Sequence, residues 1–319
     1  MVTIDLITGF LGSGKTTFLK KYAEYLMDQG LHIGILENDF GAINVDMLML
    51  HELRGDQCEL EMIAGGCDAE SHRRRFRTKL ISMRMCGYDR VLVEPSGIYD
   101  VDEFFDVLRE EPLDQWYEIG NVITILDARL EDYLSQQADY LLASEAANAG
   151  KVILSHADAA TREQCEDTVA HLNRALEQIR CDRRIDPEKD ILQTNLTDLT
   201  KEDLEEVSKC GYRLESYRKM DLENDQTFDS LFFMEEKITS EALERAVPRL
   251  FADKSCGEVF RIKGFVKNKD GQWMELNATH DSRTLEPIAV GQEVLIVIGE
   301  HLQEDKIREI LKEEEKCQS

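Results

Sequence analysis

A glycine-rich octapeptide near the amino terminus constrains the fold of this chain more than any other feature. Residues 9–16 read GFLGSGKT and fit the spacing G-x-x-x-x-G-K-[ST]. They follow an apolar run at 2–8 that predicts a buried strand, and they precede a patterned segment at 16–29 that predicts a helix. A strand, a glycine-rich turn and a helix in this order form a phosphate-binding loop. We therefore predict that the chain binds a nucleoside triphosphate.

Each residue type in this loop serves the binding of phosphate. Gly12 and Gly14 let the backbone curl so that successive N–H groups point at one phosphate, and the following helix adds its positive end. Lys15 is predicted to reach the β- and γ-phosphates, and Thr16 is predicted to bind Mg²⁺. The predicted nucleotide-binding residues of the loop are Gly9, Gly12, Ser13, Gly14, Lys15, Thr16 and Thr17.

Short apolar runs alternate with longer patterned segments after the loop. Runs at 31–37, 90–94, 121–127 and 151–155 are rich in Val, Ile and Leu, which is typical of strands buried on both faces. Strands that alternate with helices predict an α/β fold. We expect a P-loop NTPase with a mostly parallel, doubly wound sheet, plus a small α+β domain toward the carboxyl terminus.

The change of pattern along the chain sets the expected domain bounds. A polar stretch without a clear apolar period begins near residue 212, and strand-like and helix-like segments resume after it. We expect a nucleotide-binding domain at 1–212, a linker at 213–227 and an α+β domain at 228–303. A helix and an acidic tail are expected at 304–319.

The charge balance limits the partners of this chain. Its 319 residues include 64 Asp and Glu against 38 Lys and Arg, a formal net charge of −26. Such a surface repels phosphate backbones and anionic headgroups, so we expect no nucleic-acid and no membrane partner. The first ten residues lack the basic segment of a signal peptide, and the eight cysteines form no C-x-x-C pair. We therefore expect a cytoplasmic protein with reduced thiols, and leave its oligomeric state open.

Acidic residues stand at the ends of two predicted strands, where ligands bind in doubly wound sheets. Glu37 and Asp39 belong to the sequence ENDFG, and Glu94 begins the sequence EPSG. An acid followed three residues later by Gly97 is the arrangement in which a carboxylate faces Mg²⁺ and a glycine N–H contacts the γ-phosphate. Glu37 or Asp39 is a candidate for orienting the attacking water; the alternative is a polar loop without a ligand. The candidate catalytic residues are thus Lys15, Glu37, Asp39 and Glu94.

These motifs together resemble the CobW-like GTPases, which are grouped with the nickel accessory GTPases of urease and hydrogenase. The resemblance rests on GFLGSGKTT at 9–17, ENDFG at 37–41, EPSG at 94–97 and VITILDA at 122–128. It continues into the carboxyl-terminal part with the residues Arg261 to Phe265, Trp273, and Val297 to Gly299. The resemblance implies Mg²⁺-dependent hydrolysis of GTP coupled to delivery of Zn²⁺, or of Co²⁺ for cobalamin synthesis. The implied partner is a client metalloenzyme or a cobalamin-dependent protein.

The sequence departs from this family at the metal motif. The family has Cys-x-Cys-Cys after a glycine, whereas this chain reads GCDAE at 66–70 and keeps one cysteine, Cys67. Three thiolates make a tight site for Zn²⁺, and one thiolate among carboxylates makes a harder and weaker site. Cys67 with Glu70, Glu37 or Asp39 is one candidate set of transition-metal ligands. The alternative, that this loop binds no transition metal, stays open.

The segment expected to recognise the base also departs from the family. After the strand at 151–155 the family has Asn, Ser or Thr, then Lys-x-Asp, and this chain has Ser155, His156, Ala157 and Asp158. A carboxylate at Asp158 can accept both the N1–H and the N2–H₂ of guanine, and adenine offers no such pair of donors. His156 replaces the lysine that covers the base, and its imidazole can stack there. GTP is therefore favoured over ATP.

Three functions stay open on the sequence alone. The first is a GTP-hydrolysing switch that handles a metal or a cobalamin cofactor for a client enzyme. The second is a nucleotide-dependent protein-binding module with little turnover. The third is a small-molecule kinase, for which the arginines between Arg73 and Arg77 are the candidate lid. The competing interpretation of these arginines is a solvated helix face that balances nearby acids.

Overall fold

The computed structural model describes most of the chain. The described residues are 1–10, 12–39, 50–64, 69–95, 101–130, 134–219, 229–234, 238–280, 283–288, 291 and 293–316. The strands are β1 (Val2–Gly9), β2 (Ile33–Asp39), β3 (Cys58–Ala64), β4 (Arg90–Pro95), β5 (Tyr117–Asp127), β6 (Lys151–Ser155), β7 (Ile191–Gln193), β8 (Asp229–Met234), β9 (Glu258–Lys267), β10 (Trp273–Ala278), β11 (Arg283–Pro287) and β12 (Val294–Glu300). The helices are α1 (Lys15–Asp28), α2 (Ala69–Arg84), α3 (Val101–Leu108), α4 (Leu113–Trp116), α5 (Gln136–Ala147), α6 (Arg162–Gln178), α7 (Lys201–Val207), α8 (Ser240–Ala252) and α9 (Glu304–Lys316).

Seven of these strands form one parallel sheet in the first compact unit, Met1–Met220. The strand order is β3-β2-β4-β1-β5-β6-β7, so β1 lies in the middle of the sheet. Fully buried side chains of α1, among them Phe18 and Tyr22, pack with strand residues such as Ile35, Ile123 and Ile153. The predicted α/β fold with a parallel sheet is confirmed. The central position of β1 carries the phosphate loop to the middle of the carboxyl edge.

Two strands of this sheet escaped the sequence analysis, and both lie at its edges. β3 pairs only with β2, and β7 only with β6, among the described strands. An edge strand is less enclosed, so β3 mixes the fully buried Cys58 with the half-exposed Met62 and two glutamates. β7 is only three residues long. A search for continuous apolar runs finds central strands and misses strands of this kind.

A buried carboxylate ties the centre of the sheet to α1. The Asp5 side chain, on β1, accepts hydrogen bonds from the Tyr22 hydroxyl at 2.9 Å and from the Asn121 backbone N–H at 2.8 Å. The Nε of Arg90, on β4, lies 2.9 Å from the same carboxylate. Burial raises the pKa of Asp5, and the Arg90 charge opposes that rise. One side chain thereby joins β1, α1, β4 and β5.

The second compact unit, Asp221–Ser319, is built on an antiparallel sheet. Its strand order is β11-β10-β9-β12-β8, and α8 and α9 bury apolar residues in the same core as Ile262, Leu276 and Val297. The predicted carboxyl-terminal α+β domain is thus present. The linker expected at 213–227 stays a prediction, because 220–227 lies outside the described residues, as does 317–319 of the tail. No helix in the described part of the chain is both long and apolar enough to cross a membrane.

Candidate functional site

The phosphate loop joins β1 to α1 and is held by contacts within itself. The Lys15 ammonium donates to the Gly9 carbonyl oxygen at 2.9 Å, and the Ser13 N–H donates to the Phe10 carbonyl oxygen at 3.2 Å. Ser13 and Lys15 are buried, and Thr17 is half-buried in the first turn of α1. Lys15 is therefore folded back over the loop at the place where the motif would bring a phosphate.

The backbone of this loop requires glycine at two positions. Gly9 has a φ of +147°, and a Cβ there would lie 2.1 Å from the carbonyl oxygen of Ile125 on β5. Gly14 precedes α1 with a φ of +95°, and a Cβ there would lie 2.6 Å from a methyl carbon of Leu196. Gly12 is also in the left-handed region, with a φ of +82°. The tight turn and the close neighbours explain why these glycines have the spacing that they have.

Two oxygen-bearing side chains meet where α1 starts, and a third acid lies beside them on the neighbouring strand. The Thr16 hydroxyl donates to Glu94 Oε1 on β4 at 2.9 Å. Glu37, on the neighbouring strand β2, is the Cα partner of Glu94 in the sheet. Both carboxyl groups are buried, and each residue has 3% or less of its surface exposed. Two buried carboxylates beside a hydroxyl are hard oxygen donors, and a cation there would balance their charge, so this set fits Mg²⁺.

The loop after β6 carries the residues expected to recognise a base. His156 has a φ of +54°, and its Nδ1 lies 2.9 Å from Asp127 Oδ2 at the end of β5. Burial raises the pKa of Asp127, but hydrogen bonds from His156 and from the Arg129 N–H outweigh burial and hold that pKa below its ordinary value. Asp127 is therefore ionised, and the His156 Nδ1 carries the hydrogen of this contact. Asp158 is exposed in the turn that follows.

Ser155 and the loop after β7 lie next to the turn that is expected to recognise the base. The Ser155 hydroxyl is buried and donates to the Leu126 carbonyl oxygen at 3.3 Å. The Thr194 N–H, just after β7, donates to the Leu154 carbonyl oxygen at 3.2 Å. Leu196, two residues on, packs against Gly14 of the phosphate loop. The segment has little signal in the sequence because β7 is only three residues long, although Asn195 in the sequence TNLTDL is a recognisable cap.

The arginines of α2 are paired with acids of the same unit. Glu110 accepts Arg73 at 2.8 Å and Arg77 at 2.9 Å, and Arg74 contacts Glu70 at 2.9 Å. These side chains are half-exposed or exposed. The arrangement matches the interpretation as a solvated helix face and gives no support to an arginine lid. It also leaves Glu70, a candidate metal ligand, exposed and paired with an arginine.

Several predicted site residues lie outside the described part of the chain. They include Cys67 of the metal loop, Gly97 of the sequence EPSG and Gly41 of the sequence ENDFG. Asp39 ends β2, and its side chain also lies outside the description. Among the described residues, no group of three or more His, Cys, Asp or Glu side chains is arranged to hold a metal ion. The transition-metal site thus stays a prediction.

The thiols that the structure does describe are free, and most of them are buried. Burial raises the pKa of Cys58 to about 11 and that of Cys210 to about 12. Burial also raises the pKa of Cys165, Cys181 and Cys256. These cysteines are core side chains with inert thiols.

The central strand, the glycine-rich loop and the Thr16–Glu94 contact define a P-loop nucleotide-binding protein with a second, antiparallel-sheet domain. The chain belongs to the family described as CobW/HypB/UreG, nucleotide-binding domain, whose model matches residues 3–185. A second model, the cobalamin synthesis protein cobW C-terminal domain, matches residues 229–315. The resemblance to CobW-like GTPases inferred from the motifs is therefore confirmed.

Curated relatives match parts of the chain. The zinc chaperone YjiA of Escherichia coli is 29% identical over 54% of this chain and 55% of its own length. The zinc chaperone YeiR of Escherichia coli is 31% identical over 41% of this chain and 39% of its own length. The zinc-regulated GTPase metalloprotein activator 1 of Dictyostelium discoideum is 24% identical over 62% of this chain and 49% of its own length. The chain thus spans about half the length of the curated relatives it matches, or less.

Proposed function

We propose that this chain binds and hydrolyses GTP and uses that cycle to handle a metal ion for a client enzyme. The observation that carries the proposal is the contact between the Thr16 hydroxyl and Glu94 at the foot of the phosphate loop. It brings the loop that holds phosphate together with the buried carboxylates that hold a cation. The names of the relatives, zinc chaperones and a GTPase metalloprotein activator, support the metal part.

The residues of the loop divide the work of binding and activating the triphosphate. Backbone N–H groups from Gly12 to Thr17 surround the phosphates, and Lys15 turns from the Gly9 carbonyl toward the β- and γ-phosphate oxygens. Thr16 and Glu94 would hold Mg²⁺, which would supply positive charge to neutralise the phosphate oxygens. Glu37, buried beside Glu94, is the described group that can orient the attacking water.

The base is recognised by the turn after β6. The exposed Asp158 carboxylate accepts the N1–H and N2–H₂ of guanine. His156, fixed by its hydrogen bond to Asp127, presents a ring of constant orientation against which the base stacks. An imidazole held in this way can take the part that a lysine stem takes in other members of the family. GTP is the nucleotide that these contacts favour.

The cargo is a divalent transition metal, and zinc is the first candidate because the relatives are zinc chaperones. Cys67, which lies outside the described residues, is the thiol expected to contact it. Handling of cobalt or of a cobalamin cofactor for a cobalamin-dependent protein is the alternative that the second family model supports. The client then presents a basic or neutral face, because the chain carries a net charge of −26.

Phosphate release from GTP tests the hydrolase part. The wild type should release phosphate in the presence of Mg²⁺, and Lys15→Ala should lose most of that activity. Lys20→Ala is a matched control, because Lys20 lies on the same helix and pairs with Glu52 at the surface. If wild type and Lys15→Ala release phosphate equally slowly while GTP still binds, the chain is a nucleotide-dependent binding module instead.

Two further measurements test base recognition and metal binding independently of each other. Asp158→Ala should weaken GTP binding at least tenfold and leave the weak binding of ATP unchanged, whereas the exposed control Asp167→Ala should change neither. Elemental analysis after equilibration with Zn²⁺ should find bound zinc in the wild type and in the exposed-cysteine control Cys86→Ala, and none in Cys67→Ala. Equal zinc in all three proteins would contradict a site at Cys67.

A further inference from the structure

A fully buried glutamate lies next to the phosphate loop and has no part in the function proposed above. Glu145 is on α5 and has none of its surface exposed. Its backbone carbonyl oxygen accepts a hydrogen bond from the Thr124 hydroxyl of β5 at 2.8 Å. Thr124 is the Cα partner of Thr8 on β1, the last residue before Gly9. The sheet register therefore fixes Glu145 beside the strand end from which the phosphate loop starts.

The carboxyl group of Glu145 has poor compensation for its burial. Neither of its oxygens makes a hydrogen bond of normal geometry with a described residue. The Thr8 hydroxyl lies near enough to favour the charged form slightly, although it too forms no bond of normal geometry. Burial raises the pKa of Glu145 to about 8, and the Lys15 charge opposes that rise. A carboxyl group without donors in a dry site is stable as the neutral acid.

The other charged groups around α5 make contacts of their own, although the Nε and Nη2 of Arg183 form no hydrogen bond of normal geometry. Asp139 on α5 contacts the Nε2 of His171 on α6 at 2.6 Å. Arg183 donates to the carbonyl oxygens of Ala146 and Ala147 at 2.6 and 2.9 Å, which caps the end of α5. β1 and β5 present the neutral hydroxyls of Thr8 and Thr124 to this side. Lys15 is thus the cation whose charge acts on the ionisation of Glu145.

A bound nucleotide changes that balance. In the structure the Lys15 ammonium donates to the Gly9 carbonyl oxygen, and in the proposed function it turns to the phosphates. The phosphates bring several negative charges to the loop and neutralise the lysine, so the influence that favours an ionised Glu145 is lost. A carboxylate left beside the strand end from which the loop starts would repel the phosphates. Binding of the nucleotide and ionisation of Glu145 therefore oppose each other.

We propose that Glu145 is a positioning residue that couples nucleotide binding at the phosphate loop to the uptake of a proton from solvent. In the free protein the carboxyl group exchanges its proton near pH 8, and the positive charge of Lys15 favours its ionised form. In the bound protein it is the neutral acid, and Lys15 is released to the phosphates. The inference rests on the proposed nucleotide binding by the loop. It adds that affinity for the nucleotide falls as the pH rises above about 8.

Titration calorimetry with a non-hydrolysable GTP analogue and Mg²⁺ tests the coupling. The measurement is made at pH 8.0 in two buffers, HEPES and Tris, whose different ionisation enthalpies report the number of protons exchanged. The wild type should take up about half a proton more than Glu145→Gln, because the carboxyl group is half ionised near that pH. Glu177→Gln removes an exposed glutamate of α6 and should behave like the wild type.

The pH dependence of the wild type gives a second measurement that needs no variant. The dissociation constant of the wild type for the GTP analogue should rise by up to about tenfold per pH unit above pH 8 and be nearly constant between pH 6 and 7. Equal proton uptake by the wild type and Glu145→Gln, or a flat profile for the wild type, overturns the coupling. If the analogue does not bind at any pH, the proposed nucleotide function fails, which is a different outcome.

Discussion

Replacement of Glu145 by glutamine should change how the stability of the protein depends on pH. Glutamine has the shape of the neutral glutamic acid and cannot ionise, so the variant keeps the packing of α5 and loses one titration. In the unfolded chain this carboxyl group has its ordinary pKa of 4.5, and in the folded protein burial raises that pKa to about 8. Between pH 4.5 and about 8, the folded state therefore holds a proton that the unfolded state has lost.

The sign and size of the effect follow from proton linkage. Because the folded state binds more protons between these two pKa values, the free energy of unfolding of the wild type falls as the pH rises. The slope approaches about 1.4 kcal/mol per pH unit inside the window. Between pH 5 and pH 8 the wild type should lose roughly 3–4 kcal/mol relative to Glu145→Gln. Above pH 8 both states are ionised and the difference becomes constant.

Urea unfolding of both nucleotide-free proteins, at half-unit steps from pH 5 to pH 9, measures this difference. Subtracting the two free energies of unfolding removes the contributions of other titrating groups, including Asp5, whose pKa is also raised. A difference that does not vary with pH, or one that favours the wild type as the pH rises, would refute the assignment of a raised pKa to Glu145. If the free energy of unfolding falls with urea concentration at a similar slope in both proteins, the variant unfolds from an equally compact state.

Three other substitutions, the first with a matched control, test separate parts of the structure. Gly9→Ala should abolish nucleotide binding and cost more than about 3 kcal/mol, because the new Cβ meets a backbone carbonyl; Gly30→Ala, which also has a positive φ but has open space around it, should cost about 1 kcal/mol and bind normally. Asp5→Asn should destabilise the fold by about 3 kcal/mol in urea, since Arg90 loses its buried partner, and should leave the nucleotide dissociation constant unchanged. Glu110→Gln should cost less than about 1 kcal/mol, and a larger loss would mean that the half-exposed arginine pairs matter more than their exposure indicates.

The sequence predicted the parts of the fold that have a strong local pattern. The run at 151–155 corresponds to β6 from Lys151 to Ser155, and the strand before the phosphate loop is one residue longer than its apolar run. Thr161, followed three residues later by Gln164, caps α6 with a full capping box, which is a local pattern of the same kind. Patterns of this kind depend on neighbours along the chain, so they can be recognised without a structure.

Contacts between distant residues had no such signal. Glu37 and Glu94 were each predicted as acids near the nucleotide, but their pairing depends on the register of β2 and β4. The hydrogen bond from His156 to Asp127 joins two strand ends that are 29 residues apart in the chain. Glu145 stands in a helix where a glutamate is common, and only its burial against β1 and β5 makes it unusual. These features follow from topology rather than from composition.

The protonated thiols of the core also affect how a metal-handling protein would behave in a cell. A cysteine must lose its proton to bind zinc, and thiols such as Cys58 and Cys210 hold theirs well above neutral pH. At neutral pH these described core thiols of the folded chain are therefore poor ligands for zinc. Partial unfolding would expose those thiols, lower their pKa and turn them into scavengers of the same metal. Zinc excess beyond the cargo stoichiometry, in a preparation whose exposed Cys86 is blocked, would thus serve as a marker of damaged protein.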